Sequence, residues 1–254
     1  QTTARSSDQL ISMIEEDPNN SDFLDCDFVM LHKLVERINN STRFASFKRK
    51  KDVTKYIAQH RTDVEELLNR DNPDTILRSE KFQILMALIV RAVYLEFSFS
   101  PRSTQLLAVL MTLIKTRDSL LEVHTGEGKT LIVMMLAVLK SLAGKAVDVV
   151  TSSPVLAKRD AEESESFFEM FGLKVGHNCD SDTKARQDAY KQDIVYGDAA
   201  AFERDMLMDR FYHSNVRGAR HYGDAIVDEV DSMLLDKGDH MLYLSQSIET
   251  LSKV

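Results

Sequence analysis

The stretch Thr125-Gly126-Glu127-Gly128-Lys129-Thr130 decides how the rest of the chain is read. It follows a short apolar run, Ser119 to Val123, read as a strand, and it opens an apolar helix expected from Gly128 to about Leu142. Glycines let a backbone curl so that its N–H groups point inward at phosphate oxygens. A helix starting at Lys129 adds the positive end of its dipole. In this pattern the lysine reaches the β and γ phosphates as a point charge, and the hydroxyl of Thr130 coordinates Mg²⁺. A plain glycine turn would account for the glycines but not for the Lys-Thr pair behind them. The pattern departs at one place: Val123 stands where the full motif carries Gly or Ala five residues before Gly128. Residues Gly126, Glu127, Gly128, Lys129 and Thr130 are therefore read as a P-loop for a nucleoside triphosphate, ATP with Mg²⁺.

From residue 100 onward the chain alternates between helical and β-rich segments. A helix is expected over Ser103 to Lys115, a strand over Ala146 to Thr151 and a helix over Ser153 to Phe171. Short strands are expected at Leu173–Val175, Asp193–Tyr196 and Asp224–Asp228, with helices over Thr183–Lys191 and Ala199–Arg210 between them. This alternation predicts an α/β fold: a parallel sheet with crossover helices, binding its ligand at the carboxyl ends of the strands. One such strand, Ala225-Ile226-Val227, ends in the acids Asp228 and Glu229. Asp228 at the strand tip can hold Mg²⁺ through its water shell, and Glu229 can polarise the attacking water. The same acids could merely favour a helix N-terminus; the P-loop upstream is what gives them a catalytic reading.

Before residue 100 every convincing segment is helical. Phe23–Ile38, Asp52–Asn69 and Asp74–Phe97 carry apolar residues three and four apart, with a break at Asp71-Asn72-Pro73-Asp74. An all-helical region over residues 1–77 is thus expected to precede a nucleotide-binding domain over residues 78–254. The chain has 254 residues, 43% hydrophobic, enough for a sizeable core, and a formal net charge of -8. That balance speaks against nucleic acid as a partner. Two cysteines, Cys26 and Cys179, make neither a CxxC pair nor a disulfide framework and fit a reducing compartment, so a cytoplasmic location is expected. No apolar run is long enough to span a bilayer, which leaves at most a peripheral membrane contact. The basic run Lys48-Arg49-Lys50-Lys51 reads as a solvated turn between helices. Gln1 is not an initiator methionine, and the chain is expected to be a piece of a longer protein.

Several pieces taken together resemble the first motor domain of SecA, the ATPase of bacterial protein export. Beside Thr-Gly-Glu-Gly-Lys-Thr they are Leu156-Ala157-Lys158-Arg159-Asp160-Ala161-Glu162, Phe171-Gly172-Leu173-Lys174-Val175-Gly176, Asp193-Ile194-Val195-Tyr196-Gly197 and Val227-Asp228-Glu229-Val230-Asp231-Ser232. Order and spacing agree over about residues 78 to 236. The resemblance implies a RecA-like P-loop domain of DEAD type. It implies that Gln105 reads the adenine edge, with Phe99 and Arg102 at the positions that flank the base. Two departures stand out. Asp198 replaces the threonine of Tyr-Gly-Thr, and Asp236-Lys237-Gly238-Asp239-His240-Met241-Leu242 lacks the Arg-Thr-Pro part of the segment that leads toward the polypeptide-binding insertion.

The resemblance further implies a partner motor domain that supplies an arginine finger, and a polypeptide substrate. The 18 residues after Asp236 cannot hold that second domain. The fragment is therefore expected to bind nucleotide and to hydrolyse it slowly or not at all. Two other readings compete: a nucleotide-dependent interaction module whose helical first hundred residues form the binding surface, and a nucleic-acid helicase, which the charge balance disfavours.

Overall fold

The computed structural model describes residues 28–70, 72–114, 118–124 and 126–233, together with residues 9 and 12. They fall into two compact units, one of residues 1–145 with 164–173, the other of residues 146–163 with 174–254.

The first unit is helical. It contains α1 (Phe28–Asn39), α2 (Lys50–Leu68), α3 (Pro73–Arg78), α4 (Glu80–Phe97), α5 (Ser103–Ile114) and α6 (Lys129–Leu142). In α1 the buried residues Phe28, Leu31, Leu34, Val35 and Ile38 recur at helical spacing, so one stripe faces the core. Helix α4 is apolar nearly all round, burying Phe82, Leu85, Met86, Leu88, Ile89, Ala92 and Val93, and it packs against α1, α2 and α3. Helix α6 buries ten of its residues and packs on α5 and α2. Helix α2 and its C-cap residue also bond carbonyls at the C-terminal end of α6. Asn69 Nδ2 donates to Ala143 O at 2.9 Å, and Arg61 donates to Ser141 O at 3.2 Å.

The single helix expected over Asp74–Phe97 is two helices. Ser79 has extended dihedrals, φ -69° and ψ 133°, and its carbonyl accepts from the N–H groups of Phe82 and Gln83. The extended backbone at Ser79 ends α3 and starts α4, without a side-chain cap bond from the serine. The upstream break behaves as expected: Asn72 caps α3 by accepting from Asp74 N at 2.9 Å, with Pro73 in the first turn. The basic run before α2 is partly engaged. Lys50 pairs with Glu96 at 2.8 Å and Arg49 with Asp52 at 3.5 Å.

The second unit holds a four-stranded parallel sheet in the order β2-β3-β1-β4, with β1 (Val147–Thr151), β2 (Val175–His177), β3 (Ile194–Asp198) and β4 (Asp224–Val227). The crossovers are helices α7 (Pro154–Glu169), α8 (Thr183–Ala189) and α9 (Ala199–Tyr212), as a parallel sheet requires. Residues 164–169 of α7 belong to the first unit. The register Thr151↔Asp198 and Val150↔Val227 brings the carboxyl ends of β1, β3 and β4 to one edge. Val147, Val149, Ile194 and Val195 are fully buried.

The expected strand at Ser119–Val123 does not form: residues 118–124 carry no strand. Ser119, Leu120 and Glu122 are exposed, Leu121 and Val123 are half-buried, and no strand of the sheet pairs with the run among the described residues. The strand expected at Leu173–Val175 begins two residues later. Leu173 instead closes the end of α7 through Leu173 N to Phe168 O.

Candidate functional site: a P-loop and a strand-tip acid pair

Gly126 and Gly128 have φ of +86° and +79°, the left-handed region that the P-loop reading asks of its glycines. Gly128 is the N-cap of α6 and offers no side-chain cap, so the first N–H groups of that buried helix are left open. Lys129 is half-buried and Thr130 exposed at that opening. Lys129 has no ion-pair partner among the described residues. A turn closed by Glu127 N to His124 O, 3.2 Å, leads into the loop.

Gln105 lies beneath this loop, only 5% exposed. Its Oε1 accepts from Arg102 N at 2.9 Å, closing the first turn of α5. Its Nε2 donates to Glu127 O at 2.8 Å and to Gly128 O at 3.3 Å. Arg102 Nη1 pairs with Glu127 Oε2 at 2.9 Å, so Arg102, Gln105, Glu127 and Gly128 form one cluster. Gly128 must be a glycine here for a second reason: a Cβ would collide with Gln105 Nε2. Phe99 is half exposed and stacks on Phe97, with ring centroids 5.8 Å apart.

Asp228 and Glu229 belong to the second unit. Asp228 N donates to Val150 O at 2.8 Å, extending the β4–β1 ladder one residue beyond β4 and fixing Asp228 at the carboxyl edge of the sheet. Glu229 has φ +57°, a left-handed conformation rare outside glycine and costing about 1–2 kcal/mol. Strain of that kind concentrates at functional sites. It turns the chain off the strand, and Met233 N then donates to Glu229 O at 3.2 Å. At the same edge Asp198 caps α9 by accepting from Ala201 N at 3.1 Å. Threonine and aspartate share that capping ability, so the Tyr196-Gly197-Asp198 departure keeps the physical task.

Sequence reading missed a buried charge cluster in this unit. Asp205 on α9 is fully buried; its Oδ1 is 3.0 Å from both Arg186 Nε and Arg204 Nε, and its Oδ2 accepts from Tyr190 OH at 3.0 Å. Burial first, then Asp205, pushes the Tyr190 phenol upward. Burial, and then Asp198, pushes the Cys179 thiol up to about 11, so Cys179 is no nucleophile near neutrality. Among the described residues no cluster of His, Cys, Asp and Glu could hold a metal ion by itself, and no helix is long and apolar enough to cross a membrane. The Asp236–Leu242 departure and Cys26 lie outside the described residues.

The family model of the SecA DEAD-like domain matches residues 24–254. The chain belongs to the SecA DEAD-like domain family. SecA DEAD-like domains are ATP-binding motors of protein translocases, and the parallel sheet with flanking helices is the α/β, RecA-like architecture expected of one. The match begins at residue 24 and so takes in most of the helical region for which the sequence alone suggested no family.

Proposed function

We propose that this SecA-like domain binds Mg-ATP at Gly126–Thr130 and uses the nucleotide cycle to drive the handling of a polypeptide. The observation that carries the reading is the loop itself. Two positive-φ glycines deliver Lys129 and Thr130 to the uncapped N-terminus of a buried helix. That arrangement suits an anion: open N–H groups and the helix dipole meet where the first helical residue is a lysine. In this reading Lys129 holds the β and γ phosphates and Thr130 and Asp228 hold Mg²⁺, which would neutralise developing phosphate charge. Glu229 orients and polarises the attacking water. A second motor domain would supply the arginine that completes hydrolysis.

Titration of a fluorescent ATP analogue with and without Mg²⁺ tests this on wild type and Asp228→Asn. Binding should be Mg²⁺-dependent in wild type, and that dependence should be blunted in the variant. Identical Mg²⁺ dependence in both proteins would remove Asp228 from the metal site.

A cavity in the helical unit favours a second reading, a nucleotide-dependent interaction module. It has a volume of about 330 Å³, with Leu34 and Leu77 on its floor and Lys33, Arg37 and Arg78 among its lining residues. Lys33 and Arg37 beside an apolar floor, with Arg78 paired to Asp74 at 2.8 Å, suit an acidic peptide with an apolar anchor. Pull-down of acidic peptides that changes with nucleotide but persists without hydrolysis would favour this module over a motor.

A further inference from the structure

The loop read as a phosphate cradle carries an acid at its centre. Glu127 stands between Gly126 and Gly128, the two left-handed glycines. The run 118–130 that leads into and through the loop holds three acids, Asp118, Glu122 and Glu127, against one lysine, Lys129. A polyphosphate entering there meets repulsion from the loop's own side chains. The backbone of Glu127 is tied down on both sides: its N–H donates to His124 O at 3.2 Å, and its carbonyl accepts from Gln105 Nε2 at 2.8 Å.

One cation reaches this acid from another element. Arg102 lies 25 residues upstream, immediately before α5, and its Nη1 donates to Glu127 Oε2 at 2.9 Å. Arg102 is itself anchored: its N–H donates to Gln105 Oε1 at 2.9 Å, and its carbonyl accepts from Leu106 N at 3.1 Å. The two paired side chains are 51% and 41% exposed. An ion pair that open to water adds little to stability. Its effect lies in the field at the loop, where it offsets the one carboxylate set between the glycines.

We propose that Arg102 is a positioning residue for the phosphate site, acting on the phosphates through Glu127 by neutralising the acid that would otherwise repel them. The inference rests on the P-loop reading of residues 126–130. It requires that polyphosphate affinity follow the charge balance of the pair, with or without a nucleoside attached.

The test is calorimetry at low ionic strength with Mg-ATP and with Mg-tripolyphosphate, which has no base, on the full chain and its variants. Arg102→Gln should lose about tenfold in tripolyphosphate affinity and at least as much for Mg-ATP. Arg102→Lys, which keeps the charge, should retain most of the binding, and the Arg102→Gln loss should shrink as salt is raised. Arg102→Gln combined with Glu127→Gln should return to near wild-type affinity. Melting temperatures should stay together, because the N–H that Arg102 gives to Gln105 belongs to the backbone and survives each change. A double variant as weak as Arg102→Gln alone would overturn the inference, since the arginine would then act on the ligand directly. Unchanged tripolyphosphate affinity in Arg102→Gln would overturn it as well. Lys129→Ala separates the two failures: if it too leaves both ligands unaffected, the P-loop reading has failed and the inference with it; if it weakens both, the reading stands and the inference alone has failed.

Discussion

Single residues carry most of what is chemical about this domain. Gly128 combines a φ of +79° with contact against Gln105 Nε2, so Gly128→Ala meets both a backbone and a steric penalty. The backbone part alone is about 1–2 kcal/mol. Thermal melts should show that loss, and nucleotide affinity should fall with it; an unshifted melting temperature would contradict the loop geometry. Cys179 gives a pH-dependent prediction. Its thiol rises from 9.0 to about 11 on folding, so between those values the folded state holds a proton that the unfolded state has released. Stability contributed by the neutral thiol is full below pH 9 and is lost as pH climbs toward 11. Denaturant unfolding should weaken over that window, and Cys179→Ser should flatten this part of the slope. The turn at Gly126 and Gly128 was legible in the sequence because a left-handed backbone calls for glycine. The partners of Gln105 were not, because they are backbone carbonyls 22 and 23 residues away and leave no mark on side-chain identity.

At the scale of elements, the second unit depends on a buried charge that periodicity does not show. Asp205 faces Arg186 from α8 and Arg204 from its own helix, and it accepts the Tyr190 hydroxyl. Removing one partner of such a cluster strands the others in a poor solvent for ions. Asp205→Ala should cost about 3–5 kcal/mol, visible as a lower denaturant midpoint and faster amide exchange in β3 and α9. Asp205→Asn, which can still accept from Tyr190, should cost less. Equal, negligible effects would mean that the cluster is ornamental to the sheet. The helices of both units were legible from apolar spacing, with boundaries close to those observed. Two elements were not. The extended backbone at Ser79 breaks one long apolar pattern in two, which composition alone cannot distinguish from a continuous helix. The run at Ser119–Val123 has strand composition, yet finds no neighbouring strand to pair with among the described residues.

For the whole molecule, the family match takes in residues 24–254 and with them both the helical region and the parallel sheet. The alternating half of the chain declared its α/β class because only βαβ connections explain strands and helices of those lengths in that order. The helical half was legible as helices but not as part of the same family, because packed helices carry no chemical signature. We expect the chain alone to turn over ATP slowly if at all, because the resemblance assigns the arginine that completes hydrolysis to a second motor domain. A steady-state phosphate-release assay at the rate of an intact motor would contradict that expectation. The central claim, a phosphate cradle at Gly126–Thr130, is tested most directly by isothermal titration of Mg-ATP into wild type and Lys129→Ala. Wild type should bind with one site per chain, and the variant should lose at least about tenfold in affinity while melting as wild type does. Equal affinity in the two proteins would contradict the claim.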